Sequence, residues 1–345
     1  MADPPGDRLM RAMVMESPVG DLQESFLAAV EIEPPVLEGP FDVVVDVAGA
    51  GVCRTDLEIV YGVTEVPLPL VLGHENSGKV SAVGSQVSTV SVGDPVLCYP
   101  FKASGLSRPE RRGLDNAAPD LVTPGMNAPG GFAEQMLVRE RSVVRVPEGA
   151  DLVSAATLAD GGLAAYRGCR KALRDLSPTD TVVVIGVGGL GHLAIQVLAA
   201  LSPNPIVAVD VRPESRELAL ELGATRVFDP ADPSLRTRSD AGAVLDFVGS
   251  DQSAALALSM LRFGGAYVAV GVGGMISHPI LDLARHELRI EGVFVGTYTE
   301  LTELTDLFLG GMVRPRIVQY PLAEAEQALR DLAAGRVLGR AVLVP

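Results

Sequence analysis

The sequence feature that most restricts the fold is a glycine-rich segment in the middle of the chain. An apolar run at 182–185 leads into GVGGLG, and a helix pattern follows. Such glycines permit a tight turn and the close approach of a pyrophosphate, whose charge meets free N–H groups at the helix N-terminus. The motif alone is a weak signal, because a tight turn without a ligand gives the same pattern. Its members are Gly186, Gly188, Gly189, Leu190 and Gly191.

An acidic residue further along the chain strengthens this interpretation. Asp210 ends the next strand pattern, 19 residues after Gly191, where a carboxylate can accept hydrogen bonds from an adenosine ribose diol. A carboxylate there repels a 2′-phosphate, so Asp210 predicts NAD in preference to NADP. Arg212 leaves an alternative open, because its guanidinium could accept that phosphate. Its simpler interpretation is a solvated arginine that opens a helix.

From residue 180 onward, apolar strand patterns alternate with helix patterns. About six strands joined by helical crossovers predict a parallel, doubly wound α/β sheet of the Rossmann type. Ligands of such sheets bind beyond the carboxyl ends of the strands. The strand ends that we expect on the nicotinamide side of a dinucleotide contain Phe247, Val270 and Val272.

The first part of the chain, from about 10 to 147, has shorter apolar runs separated by glycine and proline. This pattern predicts mostly β structure, arranged as a small barrel. The stretch 102–131 is too long for an ordinary connection and predicts a separate lobe. We predict two domains, one formed by 1–158 with 296–345 and the other by 159–295.

The net charge disfavours some classes of partner. The 345 residues include 43 acidic and 28 basic ones, for a formal charge of −15, which opposes sequence-independent binding to nucleic acid or anionic membranes. The N-terminal MADPPGDRLM lacks the apolar core of a signal peptide. Every apolar stretch also ends before about 18 residues accumulate. We therefore predict a cytoplasmic protein with no nucleic-acid or membrane partner.

Two short motifs in the first half contain metal-ligand residue types. The motifs are GVCRTD at 51–56 and GHENSG at 73–78. A thiolate, an imidazole and carboxylates are the ligands of a catalytic zinc, which keeps one position open. Neither motif is decisive alone, because a buried cysteine is usually a small hydrophobe. Together with a downstream dinucleotide fold they are much more specific.

With these motifs, in this order over nearly the entire chain, the sequence resembles the medium-chain, zinc-dependent alcohol dehydrogenases. The resemblance implies a Rossmann domain and a β-rich, GroES-like catalytic domain. It implies that Cys53 and His74 ligate a catalytic zinc and that Glu75 is the acidic residue beside the metal. Asp56 corresponds to a carboxylate that orients the histidine ligand. Asp160 stands where many relatives have a third, cysteine ligand, although it could instead be a helix N-cap.

The resemblance also implies roles around the substrate and the cofactor. Thr55 matches a hydroxyl that hydrogen-bonds the substrate oxygen and receives its proton, and Arg54 and Arg340 match contacts to the pyrophosphate. Glu58 replaces a histidine that carries the proton to solvent in many relatives. A carboxylate with a raised pKa could do the same, or Glu58 could be a surface residue. The expected pocket walls are Tyr99 and Phe101.

One departure from the family concerns a second metal. Relatives often hold a structural zinc with four cysteines in the lobe, and none of the four corresponding positions carries a thiol. We therefore predict one catalytic zinc per chain and no structural zinc. The corresponding residues are Ser104, Ser107, Glu110 and Ala118.

The predicted reaction is hydride transfer between NAD(H) and an alcohol, aldehyde or ketone, with zinc as Lewis acid on the substrate oxygen. Two alternatives stay open: a reductase of the same fold acting on an activated C=C or C=N bond, and a catalytically silent NAD-binding protein. The predicted partners are a small-molecule substrate and further copies of the chain, in a homodimer or homotetramer.

Overall fold

The computed structural model describes residues 9–345. The prediction that MADPPGDRLM is not a signal peptide concerns residues 1–10, most of which lie outside the described residues. The described chain forms two compact units. The first contains the residues up to Asp160, with Thr297–Thr305 and Arg316–Pro345, and the second contains Gly161–Gly296 with Asp306–Pro315. The predicted domains place residues 159–160 in the second domain and residues 296 and 306–315 in the first, whereas the two units divide these residues the other way.

The described residues form nine α-helices and sixteen β-strands. Up to residue 155 they are, in chain order, β1 (Met10–Met15), β2 (Ala28–Ile32), β3 (Asp42–Val52), α1 (Arg54–Val60), β4 (Leu70–Val71), β5 (Glu75–Val83), β6 (Pro95–Cys98), β7 (Gln135–Arg139), β8 (Val143–Arg145) and α2 (Leu152–Ala155). The next are α3 (Gly161–Ala172), β9 (Thr181–Ile185), α4 (Gly191–Leu201), β10 (Ile206–Val209), α5 (Pro213–Glu221), β11 (Arg226–Phe228), β12 (Ala241–Asp246), α6 (Asp251–Met260), β13 (Leu261–Ala269), α7 (Ile280–His286) and β14 (Arg289–Gly292). The last are α8 (Tyr298–Leu309), β15 (Ile317–Pro321), α9 (Ala325–Ala333) and β16 (Arg340–Val344).

The first unit is built on two sheets. One has seven strands in the order β15-β16-β3-β5-β6-β8, with β7 also paired to β3, and the other has the order β2-β1-β4. The long strand β3 is central because its run DVVVDVAGAGV is buried along almost its whole length. The last strand, β16, pairs with β3, so the end of the chain returns to the first unit as expected. The sequence did not predict β15, a largely exposed edge strand without an apolar run.

The second unit contains the predicted parallel sheet. Its six strands run in the order β11-β10-β9-β12-β13-β14, and all of its pairings are parallel. The strands β9 and β12 are buried on both faces, which is why they read as unbroken apolar runs. The strand order reverses between β9 and β12. Their carboxyl ends therefore form the crevice where such sheets bind ligands.

Helix lengths and helix starts follow local signals. The N–H of Ser253 donates to the hydroxyl of Ser250 at 3.1 Å, which caps α6, and Pro213 occupies the first turn of α5. Helix α7 was not predicted from the sequence; it has only seven residues, and none of them is buried. Within residues 9–345 no helix is both long and apolar enough to cross a bilayer.

In the predicted lobe, a buried carboxylate occupies one of the four positions that correspond to zinc ligands in relatives. Glu110 accepts N–H bonds from Gly105 at 2.9 Å and from Ser107 at 2.8 Å, and the hydroxyl of Ser104 lies 3.1 Å from both carboxylate oxygens. A hydrogen bond from the Ser107 side chain has the largest effect on the Glu110 carboxyl. Together with the backbone N–H groups and Ser104 it outweighs burial and lowers the pKa of Glu110 to about 2. The charged carboxylate thus organises this part of the lobe.

The first prediction concerns acid stability. Because the pKa of Glu110 is depressed from an ordinary value of 4.5, its stabilisation is fully present above about pH 5 and is lost as the pH falls towards 2. Glu110→Gln should lower the free energy of unfolding at pH 7 by about 1–3 kcal/mol, since hydrogen bonds to a charged group are lost. Urea unfolding at several pH values measures this difference, which should shrink below pH 5.

The matched control is Glu148→Gln, at an exposed glutamate that pairs with Lys79. That substitution should change the free energy of unfolding by less than about 0.5 kcal/mol. A difference between Glu110→Gln and wild type that stays constant from pH 7 to pH 3 would contradict the stabilising role of the Glu110 charge.

Candidate active site

Four side chains that can ligate a metal come together in the first unit. Cys53, His74, Glu75 and Asp160 each offer one ligand atom, and these atoms all lie within 4.8 Å of one another. The first three residues are buried and Asp160 is half-buried. They come from distant parts of the chain, so only the folded unit assembles them. The cluster contains the three predicted zinc ligands, with Glu75 beside them.

Cys53 is held immediately before helix α1. Its main-chain N–H donates to Oδ2 of Asp56 at 2.8 Å, so a side chain in the first turn fixes the start of the helix. The Cys53 Sγ lies 3.7 Å from Oγ1 of Thr55 and 3.7 Å from Oδ2 of Asp160. The motif CRTD therefore directs both the thiol and the threonine hydroxyl towards the cluster.

His74 lies between β4 and β5, where the backbone makes a turn that needs glycine. Gly73 has a φ of +94°, which L side chains rarely adopt. A Cβ at this position would lie 2.3 Å from the ring of Phe132. The side-chain amide of Asn76 donates to the Gly73 carbonyl at 3.0 Å. This hydrogen bond between the first and last residues of the motif GHEN stabilises the turn that carries the His74 imidazole.

Two carboxylates flank the imidazole. Nδ1 of His74 lies 3.4 Å from Oδ1 of Asp56, and Nε2 lies 3.5 Å from Oδ2 of Asp160. Burial lowers the pKa of His74, but the charge of Asp56 and the hydrogen bond to Asp160 outweigh it and hold the pKa well above its ordinary value. The surroundings of Nε2 therefore favour a cation, which is a proton or a metal ion.

Burial also acts on the other members of the cluster. It raises the pKa of the Cys53 thiol, and the opposing effect of His74 is smaller. Burial raises the pKa of Asp160 too, but the hydrogen bond and charge of His74 outweigh it, so this pKa is lowered. A metal ion stabilises a thiolate that burial alone disfavours. This donor set is therefore the kind that fits zinc.

Glu75 forms a buried ion pair with Arg340, whose side chain is 4% exposed. Burial raises the pKa of Glu75, against the lowering effect of the Arg340 charge. Burial lowers the pKa of Arg340, but the charges of Glu75 and Cys53 more than compensate and raise it. The pyrophosphate contact of Arg340 that the resemblance implies stays a prediction. The structure places its guanidinium beside the cluster, where it compensates negative charge.

Helix α1 carries three further predicted residues. Arg54 is mostly exposed, and its Nε lies 3.8 Å from Oε1 of Glu58, one turn along the helix. Thr55, also in the first turn of α1, places its Oγ1 3.7 Å from Sγ of Cys53. Glu58 is partly exposed, with a side-chain exposure of 26%. The Glu58 side chain is therefore partly accessible to water.

The predicted pocket aromatics are buried in contact with each other. The rings of Tyr99 and Phe101 pack edge to face with centroids 5.3 Å apart. A third ring, that of Tyr298 at the start of α8, packs edge to face on Tyr99 at 6.1 Å, and its hydroxyl donates to the Val143 carbonyl. Tyr298 was not predicted from the sequence. Its only signal was an aromatic residue at a helix start in a chain with few aromatics.

The glycine motif forms the turn between β9 and α4 in the second unit. Gly186 has a φ of +88°, and a Cβ on Gly191 would lie 1.9 Å from the Gly186 carbonyl oxygen. Both positions therefore require glycine, as the motif predicts. His192 follows in the first turn of α4, is fully buried, and places Nδ1 3.0 Å from the Gly188 carbonyl.

Asp210 lies directly beside this turn. Its Oδ2 accepts the N–H of Val187 at 2.7 Å, and its Oδ1 accepts the N–H of Arg212 at 2.8 Å. The Arg212 Nε is 3.7 Å from the same carboxylate. Asp210 also lines a cavity of about 700 Å³, together with Gly186, Val248 and other residues of the second unit.

The strand ends predicted for the nicotinamide side lie on the neighbouring strands. The N–H of Phe247 donates to the Ile185 carbonyl, which joins the end of β12 to that of β9. Val272 lines a second cavity of about 200 Å³, and Val270 donates its N–H to the Asp246 carbonyl.

Comparison with known proteins places both halves of the chain. Residues 39–148 match the family described as alcohol dehydrogenase GroES-like domain, and residues 189–310 match the family described as zinc-binding dehydrogenase. The D-arabinose 1-dehydrogenase (NADP(+)) of Saccharolobus solfataricus is 34% identical over 316 residues, which is 88% of this chain and 90% of that protein. An NAD-dependent alcohol dehydrogenase of the same organism is 33% identical over 340 residues, or 92% and 96% of the two chains.

The crystal structure of an alcohol dehydrogenase from Aeropyrum pernix superposes with a TM-score of 0.91 at 39% identity, and it covers 98% of this chain and 100% of that one. The two family domains thus follow one another in the order that the motifs indicate. The chain belongs to the zinc-dependent medium-chain alcohol dehydrogenase family of NAD(P)-linked oxidoreductases.

Proposed function

We propose that this chain is a zinc-dependent, NAD(H)-linked dehydrogenase of small alcohols, aldehydes or ketones. The observation that carries the proposal is the buried cluster of Cys53, His74 and Asp160, with Glu75 at its edge. Its thiol, imidazole and carboxylate groups are the ligand types of a catalytic zinc site. Cys53, His74 and Asp160 would hold one zinc ion, and Glu75 would remain paired with Arg340.

A zinc ion held by these residues would supply Lewis-acid polarisation of a substrate oxygen, and bound NAD would supply a hydride acceptor. The side chains of the protein would transfer the substrate hydroxyl proton and orient the metal ligands. Thr55 would accept the hydroxyl proton of the substrate at Oγ1 and release its own proton, which would pass outward through the cofactor ribose and Glu58 to solvent. Asp56 holds the imidazole of His74 in one orientation. Tyr99 and Phe101 exclude water from the pocket wall.

The remaining assignments extend the same proposal. The catalytic domain comprises 1–158 with 296–345, and the dinucleotide-binding domain comprises 159–295. In the latter, the glycine turn and Leu190 bind the pyrophosphate, to which Arg54 adds a charge. Phe247, Val270 and Val272 line the nicotinamide side. The protein works in the cytoplasm as a homodimer or homotetramer.

The function is tested by incubation with NADH and a panel of aldehydes, ketones and enones. We expect NADH oxidation with carbonyl compounds, loss of this activity on chelation, and recovery with zinc. Thr55→Val should lower kcat by about a hundredfold or more, whereas Thr55→Ser should retain activity because it keeps the hydroxyl. Reduction of enone C=C bonds that survives chelation would instead support the reductase alternative. No NADH oxidation with any compound would support the silent protein.

Metal content is tested by elemental analysis of purified protein. We expect about one zinc per chain, because the lobe offers no thiolate at Ser104, Ser107, Glu110 or Ala118. Asp160→Ala should lose the metal and stay folded, whereas Asp160→Cys should keep it. The control is Asp151→Ala, since Asp151 caps α2 by accepting the Ser154 N–H. That variant should lose about 1 kcal/mol of stability and no zinc. Full zinc in Asp160→Ala would refute the ligand assignment.

Cofactor preference is tested by comparing kcat/KM for NADH and NADPH. The named relatives differ here, since one is an NADP(+) enzyme and the other is NAD-dependent. Asp210 supports NAD, because its carboxylate repels a 2′-phosphate. Asp210→Ser should lower the preference for NADH at least about tenfold, with Arg212 then available to a phosphate. The control Asp229→Ser, at a carboxylate that pairs with Arg216, should leave the ratio unchanged. A wild-type preference for NADPH would contradict the assignment.

A further inference from the structure

We infer that Asp246 is a positioning residue that holds the dinucleotide pocket in shape before the cofactor binds. The inference rests on the proposed dinucleotide site of the second unit. Asp246 is the last residue of β12 and is fully buried. It therefore stands at the carboxyl end of a central strand, beside the point where the strand order reverses.

Four donors surround this one carboxylate. Oδ1 accepts the N–H of Val248 at 2.9 Å and that of Gly249 at 3.0 Å. Oδ2 lies 2.7 Å from the hydroxyl of Ser253 and 3.0 Å from that of Tyr267. A buried charge is stable only when such partners replace its water shell. Here two N–H groups and two hydroxyls replace it.

The donors belong to three different elements. Val248 and Gly249 form the turn after β12, Ser253 lies in the first turn of α6, and Tyr267 lies on β13. The Ser253 hydroxyl also accepts the N–H of Ser250, which continues the network into the helix cap. One carboxylate thus fixes a turn, a helix start and a neighbouring strand relative to one another.

The turn and the helix start form walls of the candidate pocket. Val248, Ser250 and Ser253 line the cavity of about 700 Å³ that also contains Gly186 and Asp210. Gly249 and Tyr267 line the smaller cavity of about 200 Å³. Among the described lining residues of both cavities Asp246 does not occur. It therefore acts on a ligand only through the residues that it holds.

Close packing transmits the position of this turn to the glycine motif. A Cβ on Gly186 would lie 2.8 Å from Cγ2 of Val248, so the Val248 side chain packs directly against the glycine turn. A Cβ on Gly249 would lie 2.2 Å from the main-chain carbon of Gly271, and Gly249 has a φ of +67°. A shift of the turn after β12 would therefore displace both neighbours.

The decisive variants differ in which contacts they keep. Asp246→Ala leaves the N–H groups of Val248 and Gly249 without their side-chain acceptor, whereas Asp246→Asn keeps one oxygen for them. Tyr267→Phe removes a donor from Oδ2 and leaves the turn contacts intact. We expect Asp246→Ala to weaken NADH binding, measured by fluorescence titration, by about tenfold or more. Asp246→Asn and Tyr267→Phe should stay within about threefold of wild type.

Steady-state kinetics separates positioning from general damage. In Asp246→Ala the KM for NADH should rise while kcat at saturating NADH stays within about twofold of wild type, because the metal site lies in the other unit. An unchanged NADH affinity in folded Asp246→Ala would overturn the inference, and so would an equal loss in Tyr267→Phe. If wild-type protein binds neither NADH nor NADPH, the proposed function fails and the inference fails with it.

Hydrogen exchange on the wild-type protein gives a test that needs no variant. The amides of Val248 and Gly249 should exchange slowly without cofactor, because the carboxylate already holds them. Their protection should change little when NADH is added. Fast exchange that becomes slow only with NADH would show that the cofactor forms the turn, and would overturn the inference.

Discussion

The buried ion pair between Glu75 and Arg340 is the interaction on which the candidate metal centre depends. It joins β5 to the final strand β16, across 265 positions of sequence. Cys53, Glu75 and Asp160 bring several potential negative charges into one buried volume, where each would be costly without compensation. Arg340 supplies a fixed positive charge there. The negative charge that Arg340 does not compensate, mainly that of Asp160, lies beside Nε2 of His74 and favours a cation there.

Buried carboxylates organise two other regions in a related way. Glu110 collects N–H and hydroxyl donors in the lobe, and Asp246 collects them at the end of β12. Each carboxylate accepts several hydrogen bonds at once and so holds a turn or loop in place. In the lobe this network stands where relatives use a metal. In the second unit it stands beside the glycine turn, where the backbone must be fixed for a ligand to fit.

Most of the fold was predictable because its signals are local. The parallel sheet was predicted from unbroken apolar runs and the glycine turn, and the structure confirms it. Helix α7 and strand β15 were not predicted; both are short, of seven and five residues, and largely exposed in the structure. Tyr298 was missed because its contact with Tyr99 is set by packing and has no counterpart in sequence spacing.

The sequence alone determined the residue types available for chemistry. The motifs around Cys53 and His74, and the glycines with Asp210, follow from short-range geometry that is recognisable in the chain itself. Only the tertiary structure decided how Asp160 joins the cluster, how Arg340 pairs with Glu75, and which four donors surround Asp246. These contacts join residues that are separated along the chain. Their distances depend on how strands pair and sheets pack, which local patterns do not encode.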